Sequence, residues 1–295
     1  MAAHVMTREA QTVTLPDGRL LGFAEFGDPQ GFPVLSFHGT MSSRLDIYFC
    51  DEVARSMGLR VIGVDRPGMG LSTYQKRRKL LAWPADVQAL AAHLNLERFS
   101  TYGWSAGGQY ALAVAATLPD RVCAVALVGS AKPYESIRGL KGLDSTDQMM
   151  IALSRFSPPA MSIAIKTLVC NANDDKLYAL LQDGMPEPDV EYLQRVGREK
   201  AVELMRESVR FGPRGPVADF KVLGKRWGFS LGDVRAPVDL WHGSADTLGP
   251  PNEQEDLAAA LPDAVLHVVE GAGHISLGPD HISEILETLT ARSRK

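Results

Sequence analysis

Cysteine is scarce in this sequence: Cys50, Cys123 and Cys170 are odd in number and follow no framework spacing. A disulfide-stapled scaffold is thereby excluded. Their apolar or helical surroundings read as small core hydrophobes in a reducing compartment. Long apolar runs are missing as well, and no segment has the length that a membrane span needs. Residues 1–11 lack the continuous apolar stretch of a secretory signal. These absences predict a soluble, cytoplasmic protein. An excess of one charge is also lacking. A net charge of −4 gives no general attraction to nucleic acid or to anionic lipid. The basic run Lys76-Arg77-Arg78-Lys79 reads as the solvated start of a helix, with a targeting or anion-binding role as the alternative. No metal-ligand spacing, internal repeat or low-complexity stretch is present, and no metal or cofactor is expected.

What is there is a repeating alternation. A chain of 295 residues suits one large α/β domain or two small ones. Residues 12–15 and 20–26 read as strands joined by Pro16-Asp17-Gly18, a strong hairpin signal. Short apolar strands at 33–37, 60–64, 98–102 and 121–128 then alternate with helical patterns at 45–57, 79–94 and 109–118. This order predicts a mostly parallel sheet covered by helices on both faces. After Ser130 the alternation breaks. Residues 132–233 carry helical segments punctuated by prolines, and strands resume at 237–241 and 264–269 with helices at 252–261 and 280–291. The expected organisation is a sheet domain of residues 1–131 and 234–295, with residues 132–233 as a helical cap inserted between two of its strands.

Gly103-Trp104-Ser105-Ala106-Gly107 lies between a predicted strand and a predicted helix. This pattern suits a sharp turn that lifts a serine hydroxyl above a sheet edge. Small neighbours let strand and helix pass closely, and the helix start turns free N–H groups toward the serine. Ser105 is the candidate nucleophile. Acyl transfer also needs a base, an orienting acid and an oxyanion site. Asp246 and His274 follow Ser105 in the required order, each just past a predicted strand. The alternative for Asp246 is a helix cap, and for His274 a buried structural histidine. His38-Gly39-Thr40 follows the third strand, and the backbone amides of Thr40 and Ala106 are the candidate oxyanion donors. His38 and His242 read as residues that tie down turns. Asp65 also ends a strand but precedes the serine, and it reads as a turn-fixing partner of Arg66. Trp104 supports the elbow or is simply buried.

Taken with Val64 to Ser72 and Gly271 to His274, these segments resemble the α/β-hydrolase fold family across nearly the whole chain. The likeness is greatest to bacterial-type hydrolases of mostly unassigned substrate. Those have a His-Gly-x-x-x-Ser-Arg loop, here from His38 to Arg44, and a Gly-Pro-Arg-Gly element, here Gly212 to Gly215. The resemblance implies an eight-stranded sheet, a Ser-Asp-His triad and a lid built from the insertion. One departure is Thr247-Leu248-Gly249-Pro250-Pro251, where the family usually has a short Val-Pro step. A serine at the elbow excludes the aspartate nucleophile of haloalkane dehalogenases and epoxide hydrolases. The HGGG oxyanion loop of another lipase group is absent.

The expected reaction is hydrolysis of a small carboxylic ester or related acyl substrate through an acyl-enzyme. Its rivals are C–C bond hydrolysis or a cofactor-free lyase step on the same fold, and a ligand-binding receptor with slow turnover. In the insertion, Met149, Met150, Ile151, Phe156, Met161 and Ile165 either pack the lid on the body or meet an apolar substrate group. No acidic cluster marks an amine pocket like that of proline iminopeptidases.

Overall fold

The computed structural model describes residues 8–130, 145–249 and 251–294. The expected start of the insertion at residue 132, and Pro250, lie outside them. β1 (Gln11–Thr14) and β2 (Leu20–Gly27) form the antiparallel hairpin, with Gln11 opposite Phe23 and Thr14 opposite Leu20. Gly18 closes its turn at φ +85°, a left-handed backbone that glycine adopts without steric cost. The sheet continues with β3 (Phe32–Phe37), β4 (Leu59–Val64), β5 (Phe99–Trp104), β6 (Val122–Val128), β7 (Val238–Gly243) and β8 (Ala264–Val269). Its eight strands run in the order β1-β2-β4-β3-β5-β6-β7-β8. β2 pairs antiparallel with β4, and every pair from β4 to β8 is parallel.

The helices are α1 (Asp51–Ser56), α2 (Trp83–His93) and α3 (Gly107–Thr117); then α4 (Ser145–Phe156), α5 (Pro158–Ile165), α6 (Asp174–Gln182), α7 (Glu187–Val196), α8 (Arg198–Ser208) and α9 (Arg214–Leu223); and finally α10 (Pro251–Ala260), α11 (Leu277–Asp280) and α12 (Ile282–Ser293). One face of the sheet is packed by α2, α3 and α10 through residues such as Leu90, Leu112 and Leu257. The other face is packed by α1 and α12 through Ala54, Ile285 and Leu289. β6 is buried along its whole length, as a strand between two helical layers must be. Helices α4 to α9 fill the interval between β6 and β7 and build their own core, which includes Met161, Leu177 and Phe220. No helix of the described residues is long and apolar enough to cross a membrane.

Residues 45–57, expected as one helix, are helical only from Tyr48, where a 3₁₀ turn leads into α1. Arg44 holds the preceding stretch instead. Its backbone amide and its guanidinium both donate to the Asp65 carboxylate, at 2.7 and 3.0 Å, and so tie this segment to the end of β4. Likewise, the helix expected from residue 79 begins as a 3₁₀ turn at Leu80 and becomes α-helical at Trp83.

Candidate active site

β5 ends at Trp104 and α3 begins at Gly107, so Ser105 occupies the turn itself. Its φ is +51°, a region that costs a non-glycine residue about 1–3 kcal/mol. Two backbone bonds hold it there: Ser105 N–H donates to the Val128 carbonyl at 2.8 Å, and the Ser105 carbonyl accepts from Gly108 N–H at 3.0 Å. The close passage needs glycine. A Cβ on Gly107 would overlap the Phe37 carbonyl of neighbouring β3. Ala106, the residue at the helix boundary, has no side-chain group to cap α3, and the positive end of the helix begins next to Ser105.

Asp246 and His274 meet at the same edge of the sheet. His274 Nδ1 lies 2.8 Å from Asp246 Oδ2. The other oxygen, Oδ1, accepts from Leu248 N–H at 2.8 Å and Gly249 N–H at 3.3 Å. Asp246 therefore organises its own loop with one oxygen and the imidazole with the other, and this gives the departure at residues 247–251 a defined path. Burial raises the Asp246 pKa, but the charge and hydrogen bond of His274 outweigh it and hold the carboxyl below the usual range. Trp104 Nε1 donates to the His274 carbonyl at 3.2 Å, which links the elbow to the histidine loop.

The Gly39-Thr40 turn approaches Ser105 from the end of β3. A Cβ on Gly39 would come 2.8 Å from the Trp104 ring and 3.4 Å from the Ser105 Cβ. Among the described residues no turn or loop carbonyl accepts from Thr40 N–H or Ala106 N–H. His38 does tie this turn, with Nδ1 2.8 Å from the Gly39 carbonyl and Nε2 accepting from Arg66 N–H at 3.1 Å. Burial, then the Arg66 charge, pushes its pKa well below the usual value, so the ring is neutral. His242 makes no such tie. Among the described residues neither ring nitrogen has a hydrogen-bond partner, and its Nδ1 stands 3.9 Å from Asp246 Oδ2.

Asp65 and Arg66 do not pair with each other. Asp65 binds Arg44, while Arg66 donates to Asp219 of α9 at 3.0 and 2.6 Å, to the Gly39 carbonyl at 2.8 Å and to the His38 carbonyl. The Asp219 carboxylate also accepts from Tyr110 Oη at 2.8 Å and from Arg78. Arg78 is thus a buried member of the basic run, whereas Lys76, Arg77 and Lys79 are exposed. Burial alone would raise the Asp219 pKa; the two guanidinium charges prevail and hold it well below the carboxylate range.

A cavity of about 230 Å³ opens beside Ser105 and His274. Its wall from the insertion comes from α6 to α8 and the segment between, including Leu181, Met185, Leu193 and Met205. None of the six apolar residues singled out between 149 and 165 lines it. Ile151, Met161 and Ile165 pack in the insertion core beside Ala106, and Met149 and Phe156 are exposed. Asp46 was not foreseen. It lines the cavity, accepts from Gly39 N–H at 3.2 Å, and is pushed up to about 7 by burial. No group of three or more metal-ligating side chains occurs among the described residues.

A family profile for the alpha/beta hydrolase fold matches residues 33–279. This chain belongs to the α/β-hydrolase fold family. Among curated proteins, this chain is 35% identical over 123 residues to the dihydrolipoyllysine-residue acetyltransferase component of the acetoin cleaving system of Pseudomonas putida. That match covers 41% of this chain and only 33% of the relative's length. A more extended match, 27% identical over 252 residues, is to the pimeloyl-[acyl-carrier protein] methyl ester esterase of Chromobacterium violaceum; it covers 78% of this chain and 84% of that one. Among solved structures, a thermophilic esterase from Thermogutta terrifontis is similar with a TM-score of 0.72 at 22% identity, covering 97% of this chain and 100% of the esterase. At that identity the likeness speaks to the fold alone.

Proposed function

We propose that this α/β hydrolase cleaves a carboxylic ester through an acyl-enzyme, with Ser105 as nucleophile, His274 as general base and Asp246 as the residue that orients it. The observation that carries the reading is the 2.8 Å contact between His274 and Asp246 beside a strained serine that lines the same cavity. In the first step His274 takes the proton of the Ser105 hydroxyl as its oxygen attacks the carbonyl carbon. The amides of Thr40 and Ala106 receive the oxyanion, each such donor contributing about 3 kcal/mol to the transition state. His274 returns the proton to the departing alcohol. Water, deprotonated by the same imidazole, then releases the acid and restores Ser105.

In this reading residues 132–233 act as a cap, and the apolar side chains that α6 to α8 turn to the cavity receive the non-reacting part of the ester. The similarity to a methyl ester esterase supports an ester over other acyl groups. A fluorophosphonate probe is expected to label Ser105, with Ser105→Ala losing both labelling and at least about 10³-fold in short-chain ester hydrolysis. His274→Ala is expected to be similarly impaired. Undiminished hydrolysis in either variant would reject the role assigned to it. Mass spectrometry of products from esters and diketones separates ester from C–C cleavage.

A further inference from the structure

His274 is held at three points. Its side chain contacts Asp246, and its carbonyl accepts from Trp104 beside the nucleophile. The third hold comes from the insertion. Asp189, in the first turn of α7, is fully buried and directs its carboxylate at the backbone of the histidine loop. Oδ2 accepts from His274 N–H at 2.9 Å. Oδ1 accepts from Ile275 N–H at 3.1 Å, Ser276 N–H at 2.9 Å and the Ser276 hydroxyl at 2.8 Å. The Ser276 oxygen in turn accepts from Gly273 N–H at 3.0 Å. Five donors on four consecutive residues thus converge on Asp189, four of them directly and one through Ser276. Gly273 has its own reason within this arrangement: a Cβ there would overlap the Asp189 carboxylate. The glycine before His274 leaves room for a side chain that arrives from 85 residues earlier in the chain.

An imidazole that must face Asp246 with one nitrogen and the reacting hydroxyl with the other tolerates little displacement of its own backbone. A misplacement of about 1 Å costs on the order of 10²-fold in rate. We propose that Asp189 is a positioning residue for His274, so that the seating of α7 on the sheet body sets the alignment of the base. The inference rests on the reading of His274 as the base, and it adds a duty to the insertion beyond enclosing substrate. The insertion then supplies part of the frame of the site.

The test uses the full chain with Asp189→Asn and Asp189→Ala. Two readouts separate positioning from plain packing. The first is the split between kcat and KM on a short ester such as p-nitrophenyl acetate. The second, independent of any substrate, is the downfield proton resonance of His274 Nδ1–H hydrogen-bonded to Asp246. Positioning predicts kcat at least about tenfold lower with KM within twofold, and loss or broadening of the resonance. A smaller fall in kcat with the resonance intact, or a rise in KM alone, would overturn it. If both variants fail to fold, Ser276→Ala removes one donor to the carboxylate without touching α7. A threefold or greater fall in kcat at unchanged KM supports the proposal, and an unchanged kcat rejects it. A wild type that hydrolyses no ester, yet loses the resonance on Asp189→Asn, supports positioning and overturns only the esterase reading.

Discussion

Asp189 and Asp219 leave the same insertion and reach opposite sides of the candidate site, yet their surroundings differ in kind. Asp219 is met by the guanidinium groups of Arg66 and Arg78 and by the Tyr110 hydroxyl. Among the described residues Asp189 is met only by backbone N–H groups and one serine hydroxyl. The first contact locks charge against charge and, through Arg66, braces the turn that carries Thr40. The second has no cationic side chain in its hydrogen bonding and braces the loop that carries His274. A buried carboxylate can therefore be accommodated by ions or by oriented dipoles, and the two solutions fail differently when one partner is removed.

The largest expected effect follows from that difference. Asp219→Ala leaves two buried guanidiniums unpaired and is expected to lower the unfolding free energy by about 3–5 kcal/mol in urea denaturation. Asp189→Ala orphans smaller, neutral donors and is expected to cost about 1–3 kcal/mol. Equal losses in the two variants would dissolve the contrast.

Acid sharpens it further. The Asp219 pKa is depressed in the folded protein, so its contribution to stability is complete above the usual value of 3.8 and disappears as pH falls through and below it. Between pH 6 and pH 3, wild type is expected to lose more stability than Asp219→Asn, as urea midpoints at both pH values will show. Asp46 provides the opposite sign. With its pKa raised to about 7, it ionises near neutrality beside the Gly39-Thr40 turn, where negative charge would oppose the oxyanion of the proposed reaction. The expected outcome is a kcat that declines as pH rises past 7 in wild type and does not in Asp46→Asn. An alkaline decline that persists in the variant would assign it elsewhere. Smallest of all is Phe156→Ser. That side chain is exposed and outside the cavity, so stability should stay within about 0.5 kcal/mol and ester KM should not move.

The elbow, the order Ser105, Asp246, His274 and the hairpin at Gly18 were legible because each depends on neighbours in sequence. Glycines at a tight passage and loops that follow apolar strands leave local patterns. The alternation of strand and helix likewise announced a parallel sheet. Asp189, Asp219 and the burial of Arg78 left no such trace. The groups that meet the two carboxylates lie between 85 and 153 residues away, and an isolated aspartate on a helix resembles any solvated one. The apolar residues of α4 and α5 left packing and substrate contact both open for a related reason. Hydrophobic spacing identifies a buried face but not what covers it, and these faces close the insertion's own core. Leu193 and Val196 on α7 and Leu204 and Met205 on α8 carried the same kind of signal and line the cavity.

The ion pair between Arg66 and Asp219 also bears on how the protein comes into being. A ribosome delivers Arg66, the His38 turn and even Ser105 long before Asp219, and His274 arrives later still. Through that interval the guanidinium has no carboxylate from the insertion to meet, and the serine has no imidazole. The nascent polypeptide thus carries its candidate nucleophile in an unarmed form, and the candidate base comes only after β8 has emerged.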